Sequence, residues 1–252
     1  MAVILGINAY HPGASAALVI DGVPVAAMAE ERLNRIKYYA GFPKLAIDKC
    51  LAASGMTLAD VDIFSIGRQP GANSLPKYLY ALTHPSKLAN LLKIRSSRDN
   101  LNDIRKLVAF ECGSDLNTLR FSVQNVEHHL AHTASAYFAS PWEYAAGFSL
   151  DGSGDFVTCM MTECKGPSIT IKKRIFVPHS LGTLYTAICE FIGYGKYGDE
   201  GKVMGLAPLG ENNYSALIRE MLSLTPNGIR LNSKYLMPFG SDEGMKINTD
   251  GT

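Results

Sequence analysis

No apolar run in this 252-residue chain approaches the ~20 residues that a membrane-crossing helix needs. The N-terminus, Met1 to Gly6, has neither the basic start nor the long apolar core of a signal peptide, so secretion is not expected. Charge is scarce and balanced, at 19% Asp, Glu, Lys and Arg with a net +1, which gives no global attraction to nucleic acid or a lipid surface. The five cysteines are odd in number and show no CxxC spacing, which argues against a disulfide framework and for buried thiols in a reducing, cytoplasmic setting. There is no His-Glu pair of the HExxH kind, so the common zinc-hydrolase pattern is missing. What remains is an ordinary globular chain, 47% hydrophobic, able to bury a sizeable core as one large domain or two small ones.

The start of the chain predicts three antiparallel strands: residues 2–8, Ala16 to Ile20 and Val23 to Ala29, the last two joined at the hairpin signal Asp21-Gly22. A charged link, Glu30 to Lys37, leads to a helix opened by Pro43 and closed near Gly55, with an apolar stripe of Leu45, Ile47, Cys50, Leu51 and Met56. Val61 to Ile66 reads as a strand. Residues 70–118 set Lys77, Lys87, Lys93, Arg95, Arg98, Arg105 and Lys106 among leucines, with Pro76 and Pro85 as breaks, which predicts a helical insertion with a solvated basic face. Beyond Pro141 the order strand, polar Gly-containing turn, strand, strand, helix recurs: Tyr144 to Leu150, Asp151 to Asp155, Phe156 to Met161, Ser168 to Val177 and Leu181 to Ile192. The reading is of two lobes, 1–142 and 143–252, whose polar turns His11–Ser15 and Asp151–Asp155 can face one cleft. Backbone amides of Gly152, Ser153 and Gly154 could meet a phosphate there.

Late in the first lobe lies Val126-Glu127-His128-His129-Leu130-Ala131-His132, opening an alanine-rich helix that Pro141 stops. His128 and His132 are one turn apart and face the same way, so both imidazoles can meet one metal ion. His129 points roughly 100° away and is the weaker candidate. Asp151, closing the next apolar strand, supplies a carboxylate for the same ion. Two imidazoles and a carboxylate suit iron, manganese or zinc.

Six blocks carry a resemblance to a known family. They are Gly6-Ile7-Asn8 with His11 to Val19, Glu30-Glu31-Arg32, His128-His129-Leu130-Ala131-His132, Leu150 to Asp155, Ser180 to Tyr185, and Asp199 to Pro208. In this order they resemble the O-carbamoyltransferases of the nodulation-protein-U and tobramycin type. The resemblance implies an α/β fold of actin/hexokinase/Hsp70-like (RNase-H-like, Kae1-like) lobes. It also implies carbamoyl transfer to a hydroxyl of a small-molecule acceptor such as a sugar, an antibiotic or a nodulation factor. The donor would be carbamoyl adenylate, made from ATP and carbamoyl phosphate by a C-terminal YrdC-like domain of the same protein.

By motif match, His128, His132 and Asp151 are ligands of an iron-type metal and His11 lies beside the carbamoyl group as the catalytic histidine. Pro12 stands where many relatives have aspartate, so a carboxylate role at that position does not carry over. Lys202, with Asp199 and Glu200, is the nucleotide-side candidate. The family's fourth ligand, an aspartate, finds no match before Thr252, so the second lobe is expected to be incomplete and residues 1–252 inactive alone. Two other readings share the fold: a tRNA threonylcarbamoyl transferase, and a non-catalytic ATP-binding module of the actin type. No nucleic-acid or membrane partner is expected; a homodimer stays open.

Overall fold

The computed structural model describes residues 1–83, 104–232 and 234–235. They divide into two compact units: residues 1–70 with 104–127, and residues 71–83 with 128 onward.

The first unit is built on a five-stranded sheet. Strands β1 (Val3–Asn8), β2 (Ser15–Ile20) and β3 (Val23–Ala29) form an antiparallel meander, as expected, while β4 (Ile63–Ile66) and β5 (Ser122–Asn125) run parallel to β1. The order β3-β2-β1-β4-β5 is the RNase-H-like arrangement that the resemblance implied. Period-two alternation buries Val3, Leu5 and Ile7 on one face, with Ala16 and Leu18 beside them. Asp21 and Gly22 both take positive φ, 49° and 82°, as a two-residue hairpin loop demands.

Helix α1 (Glu31–Asn34) is one turn inside the stretch expected to be only a charged link. Glu30, just before it, is 3% exposed, and its carboxylate accepts the Leu45 and Ala46 N–H groups at 3.2 and 2.7 Å. It thereby satisfies first-turn donors of helix α2 (Lys44–Ala52) that have no partner within the helix. The buried stripe of α2 is Ala46, Ile47, Cys50 and Leu51, whereas Leu45 is 40% exposed. One turn back from Cys50 and Leu51 lands on positions 46 and 47, so Leu45 falls off the face. Gly55 closes the helix at φ 66°, with the Met56 N–H on the Leu51 carbonyl.

Part of the expected basic insertion belongs to this core. Helix α3 (Ser74–Thr83), also within the expected insertion, belongs to the second unit and has Pro76 in its first turn rather than at a break, where a missing N–H costs nothing. Helix α4 (Ile104–Cys112) buries Ile104 and Val108 among Phe64, Phe121 and Ile47. Arg105 donates from Nε to the Phe121 carbonyl at 2.9 Å instead of joining a free basic face. Lys87, Lys93, Arg95, Arg98 and Pro85 lie outside the described residues.

The second unit repeats the meander. Strands β6 (Tyr144–Gly154), β7 (Val157–Lys165) and β8 (Ser168–Phe176) form an antiparallel sheet in that order, followed by helix α6 (Leu181–Phe191), which packs on β6. Helix α5 (His128–Phe138) packs on β6 and β7, so the boundary falls at Glu127 instead of residue 142. The expected turn Asp151–Asp155 is also redrawn. The strand continues through Gly154, and the chain reverses at Asp155 and Phe156, both with positive φ. Helices α7 (Glu200–Leu206) and α8 (Ser215–Met221) and a hairpin of β9 (Leu222–Thr225) and β10 (Gly228–Leu231) complete the unit. Leu231 joins Leu184 and Ala187 of α6 in a small second core. Among the described residues no parallel strand lies beside β6.

Candidate metal centre

Helix α5 begins where the carboxylate of Asp155 accepts the His128 N–H at 3.0 Å, an anion placed at the positive end of the helix. His128 and His132 then sit one turn apart with their rings edge to face. The two Nε2 atoms are 3.0 Å apart; Asp151 Oδ2 lies 2.9 Å from that of His128 and 3.8 Å from that of His132. The expected convergence therefore holds, with all three donor atoms within 4.8 Å of one another.

Without a cation, hydrogen bonds meet both His128 contacts only if one Nε2 proton is shared between Asp151 and the His132 lone pair. The His128 Nε2 cannot donate its proton to Asp151 and also accept one from His132, because a ring nitrogen carries either a proton or a lone pair. A cation shared by all three lone pairs removes the need for that sharing. Metal–ligand bonds of about 2.0–2.2 Å bring neighbouring donors to separations of this order. Asp151 is held well below the usual carboxylate range by hydrogen bonding to His128 and then His132, against the opposing effect of burial. The His132 side chain is 55% exposed, which leaves a side open to further ligands. The residues present thus fit a divalent metal of the iron, manganese or zinc kind.

A family assignment follows from comparison with known proteins. The family described as "Carbamoyltransferase N-terminus" matches residues 3–247. The chain belongs to this family. An uncharacterized protein of Synechocystis sp., sll1178, is 38% identical over 244 residues, covering 92% of this chain and 39% of its own length. Nodulation protein NolNO of Sinorhizobium fredii is 34% identical over 224 residues, covering 88% of this chain and 31% of its own length. The chain thus spans under two fifths of either relative. Among solved structures, YeaZ from Pseudomonas aeruginosa superposes with a TM-score of 0.36 at 15% identity, over 71% of this chain and 68% of that one. The strand order, not this likeness, defines the fold.

Within this chain the remaining candidates take different places. His129 is fully buried, accepting the Ser149 hydroxyl at Nδ1 (2.8 Å) and donating from Nε2 to the Val157 carbonyl (2.9 Å). It bolts α5 to the sheet and so sets the height of its two neighbours. Burial pushes its pKa down. A histidine whose folded pKa lies below the unfolded ~6.5 stabilises fully above that value and loses the contribution as pH falls toward the lower one. The urea midpoint of the wild type is therefore expected to drop between pH 7.5 and 5.5 more steeply than that of His129→Gln. Equal slopes would show that His129 is not held neutral in the fold.

His11 lies in the first unit, exposed, in a turn where Tyr10 takes φ 55° and the Asn8 amide donates to the Gly13 carbonyl at 3.1 Å. Gly152 and Gly154 have structural duties. The Gly152 N–H donates to its neighbour's carboxylate, Asp151 Oδ1, at 2.6 Å, and a Cβ at Gly154 would collide with the His128 ring. Lys202 pairs with Asp199 at 2.6 Å; the other Asp199 oxygen accepts the Lys196 N–H, and Glu200 accepts the Thr186 hydroxyl at 2.6 Å. The Glu200 contact ties α7 to the middle of α6. The block Ser180 to Thr183, quoted in the sequence without a role, holds the backbone of Asp151 and Gly152. Only its helix-start signature was visible in the sequence.

Proposed function

We propose that the intact protein transfers a carbamoyl group from an activated donor to a hydroxyl of a small molecule. The observation that carries this reading is the convergence of His128, His132 and Asp151 in a chain of the carbamoyltransferase family. The donor is carbamoyl adenylate, formed from ATP and carbamoyl phosphate in a YrdC-like part of the same protein. His128, His132 and Asp151 hold the metal, with iron favoured. A bound cation supplies a positive centre that polarises a carbonyl or binds phosphate oxygen.

The protein's own groups do the rest. His11 takes the proton of the attacking hydroxyl. Residues 152–154 and Lys202 are assigned to the donor's phosphate, which requires the Lys202 pair with Asp199 to open and the Gly152 N–H to leave the Asp151 carboxylate. The acceptor is a sugar, antibiotic or nodulation-factor-like small molecule. The test supplies metal-loaded full-length protein with ATP, labelled carbamoyl phosphate and a panel of hydroxylated small molecules. Label on a small molecule supports the proposal. Modification of tRNA from threonine and bicarbonate instead would replace it with the tRNA reading, and no transfer to any acceptor would overturn it.

A further inference from the structure

Asp151 lies where strand β6 departs from its regular pairing with β7. The ladder of β6 and β7 pairs Leu150 with Cys159 and next pairs Gly154 with Val157. Asp151, Gly152 and Ser153 therefore stand opposite Thr158 alone, a bulge that disrupts the ladder and leaves its carbonyls to find other donors. One buried side chain meets two of them. Ser180 Oγ lies 3.1 Å from the Asp151 carbonyl and 2.7 Å from that of Gly152, and the residue is 0% exposed. The same oxygen accepts the Thr183 N–H at 3.0 Å, so the N-cap of α6 and the bulge of β6 share one atom. Beside it, Gly182 leaves room for contact between backbones. A Cβ there would stand 2.6 Å from Gly152 N and 2.7 and 2.8 Å from the Asp151 carbonyl carbon and oxygen.

We infer that Ser180 is a positioning residue for the metal ligand Asp151, acting with Gly182 as a saddle that fixes the bulge. An ordinary N-cap serine needs only to accept from its own helix. This hydroxyl also donates across to the strand, at the residue whose carboxylate faces the two imidazoles. The inference rests on the metal reading of Asp151.

The test compares wild type, Ser180→Ala, Ser180→Thr and Gly182→Ala. Cobalt(II) affinity is read by visible absorbance, thermal midpoint by circular dichroism, and amide exchange at Gly152 by NMR. The last needs no metal, since the Gly152 N–H donates to the Asp151 carboxylate. Ser180→Ala and Gly182→Ala are each expected to lower cobalt affinity by about 10–100-fold, the usual effect of losing an outer partner of a ligand, and to speed exchange at Gly152. Alanine favours helix over glycine, so a loss in Gly182→Ala cannot come from a weaker helix. Ser180→Thr keeps the hydroxyl and should restore most of the affinity. A lowered midpoint with unchanged cobalt affinity and unchanged Gly152 exchange would reduce Ser180 to a helix cap and overturn the inference. If wild type binds no cobalt, the metal reading falls, and exchange at Gly152 alone decides whether the saddle holds Asp151.

Discussion

Replacing His128 by alanine is expected to lower the affinity for cobalt(II), manganese(II) or iron(II) by more than the ~10–100-fold typical of outer partners. Its Nε2 makes the two shortest contacts of the cluster, 2.9 Å to Asp151 and 3.0 Å to His132, so its loss leaves donors that are 3.8 Å apart. Asp151→Asn should act as strongly by a different route, since it keeps the shape and removes the only negative charge among the three ligands. Gly154→Ala tests the geometry with every ligand retained: the new methyl occupies space now taken by the His128 ring and forces it to turn away. His128→Ala and Asp151→Asn should keep their far-ultraviolet circular dichroism, because neither residue belongs to the buried core. Isothermal titration decides the matter. Retained affinity in both His128→Ala and Asp151→Asn would return the cluster to a hydrogen-bonded surface feature.

The parts of this site that the sequence displays are those set by local spacing. His128 and His132 lie on one face because four residues make about one turn, and β1 to β3 are visible as alternation punctuated by Asp21-Gly22. What the sequence hides is set by contacts distant in the chain. Glu30 looks like part of a charged link, yet it lies buried against α2 because the first-turn donors of that helix need an acceptor. Ile104 and Val108 sit in a run dominated by basic residues, and nothing local says that they complete the first core. The bulge after Leu150 has no periodic signature either. Asp151-Gly152-Ser153-Gly154-Asp155 carries the composition of a turn, and only the position of Ser180 and Gly182 against its backbone explains the extended path. His129 illustrates the opposite case: its roughly 100° offset from its neighbours already set it apart, and the structure shows it holding the sheet.

In the intact protein, His11→Ala is expected to lower carbamoyl transfer by a factor of ~10² or more, the scale of losing general acid–base help. The turn that presents this residue is held from several sides. Tyr10 N–H donates to the Gly41 carbonyl at 3.1 Å, Ala14 N–H to that of Tyr39 at 3.0 Å, and the Asn8 amide to that of Gly13. His11 Nδ1 lies 3.2 Å from the Pro12 carbonyl, which can only accept, so this contact is met when Nδ1 carries a proton. Because the residue is exposed, its replacement should shift stability by no more than the ~0.5 kcal/mol usual for surface positions, and a fall in rate then reports chemistry. The measurement follows product from ATP and carbamoyl phosphate with full-length wild type, His11→Ala and residues 1–252 alone, all with metal present. No product is expected from residues 1–252, since donor activation is assigned to the YrdC-like part. Turnover by that chain would contradict the assignment of the donor step, and a His11→Ala enzyme at the wild-type rate would give this histidine a purely structural place in its turn.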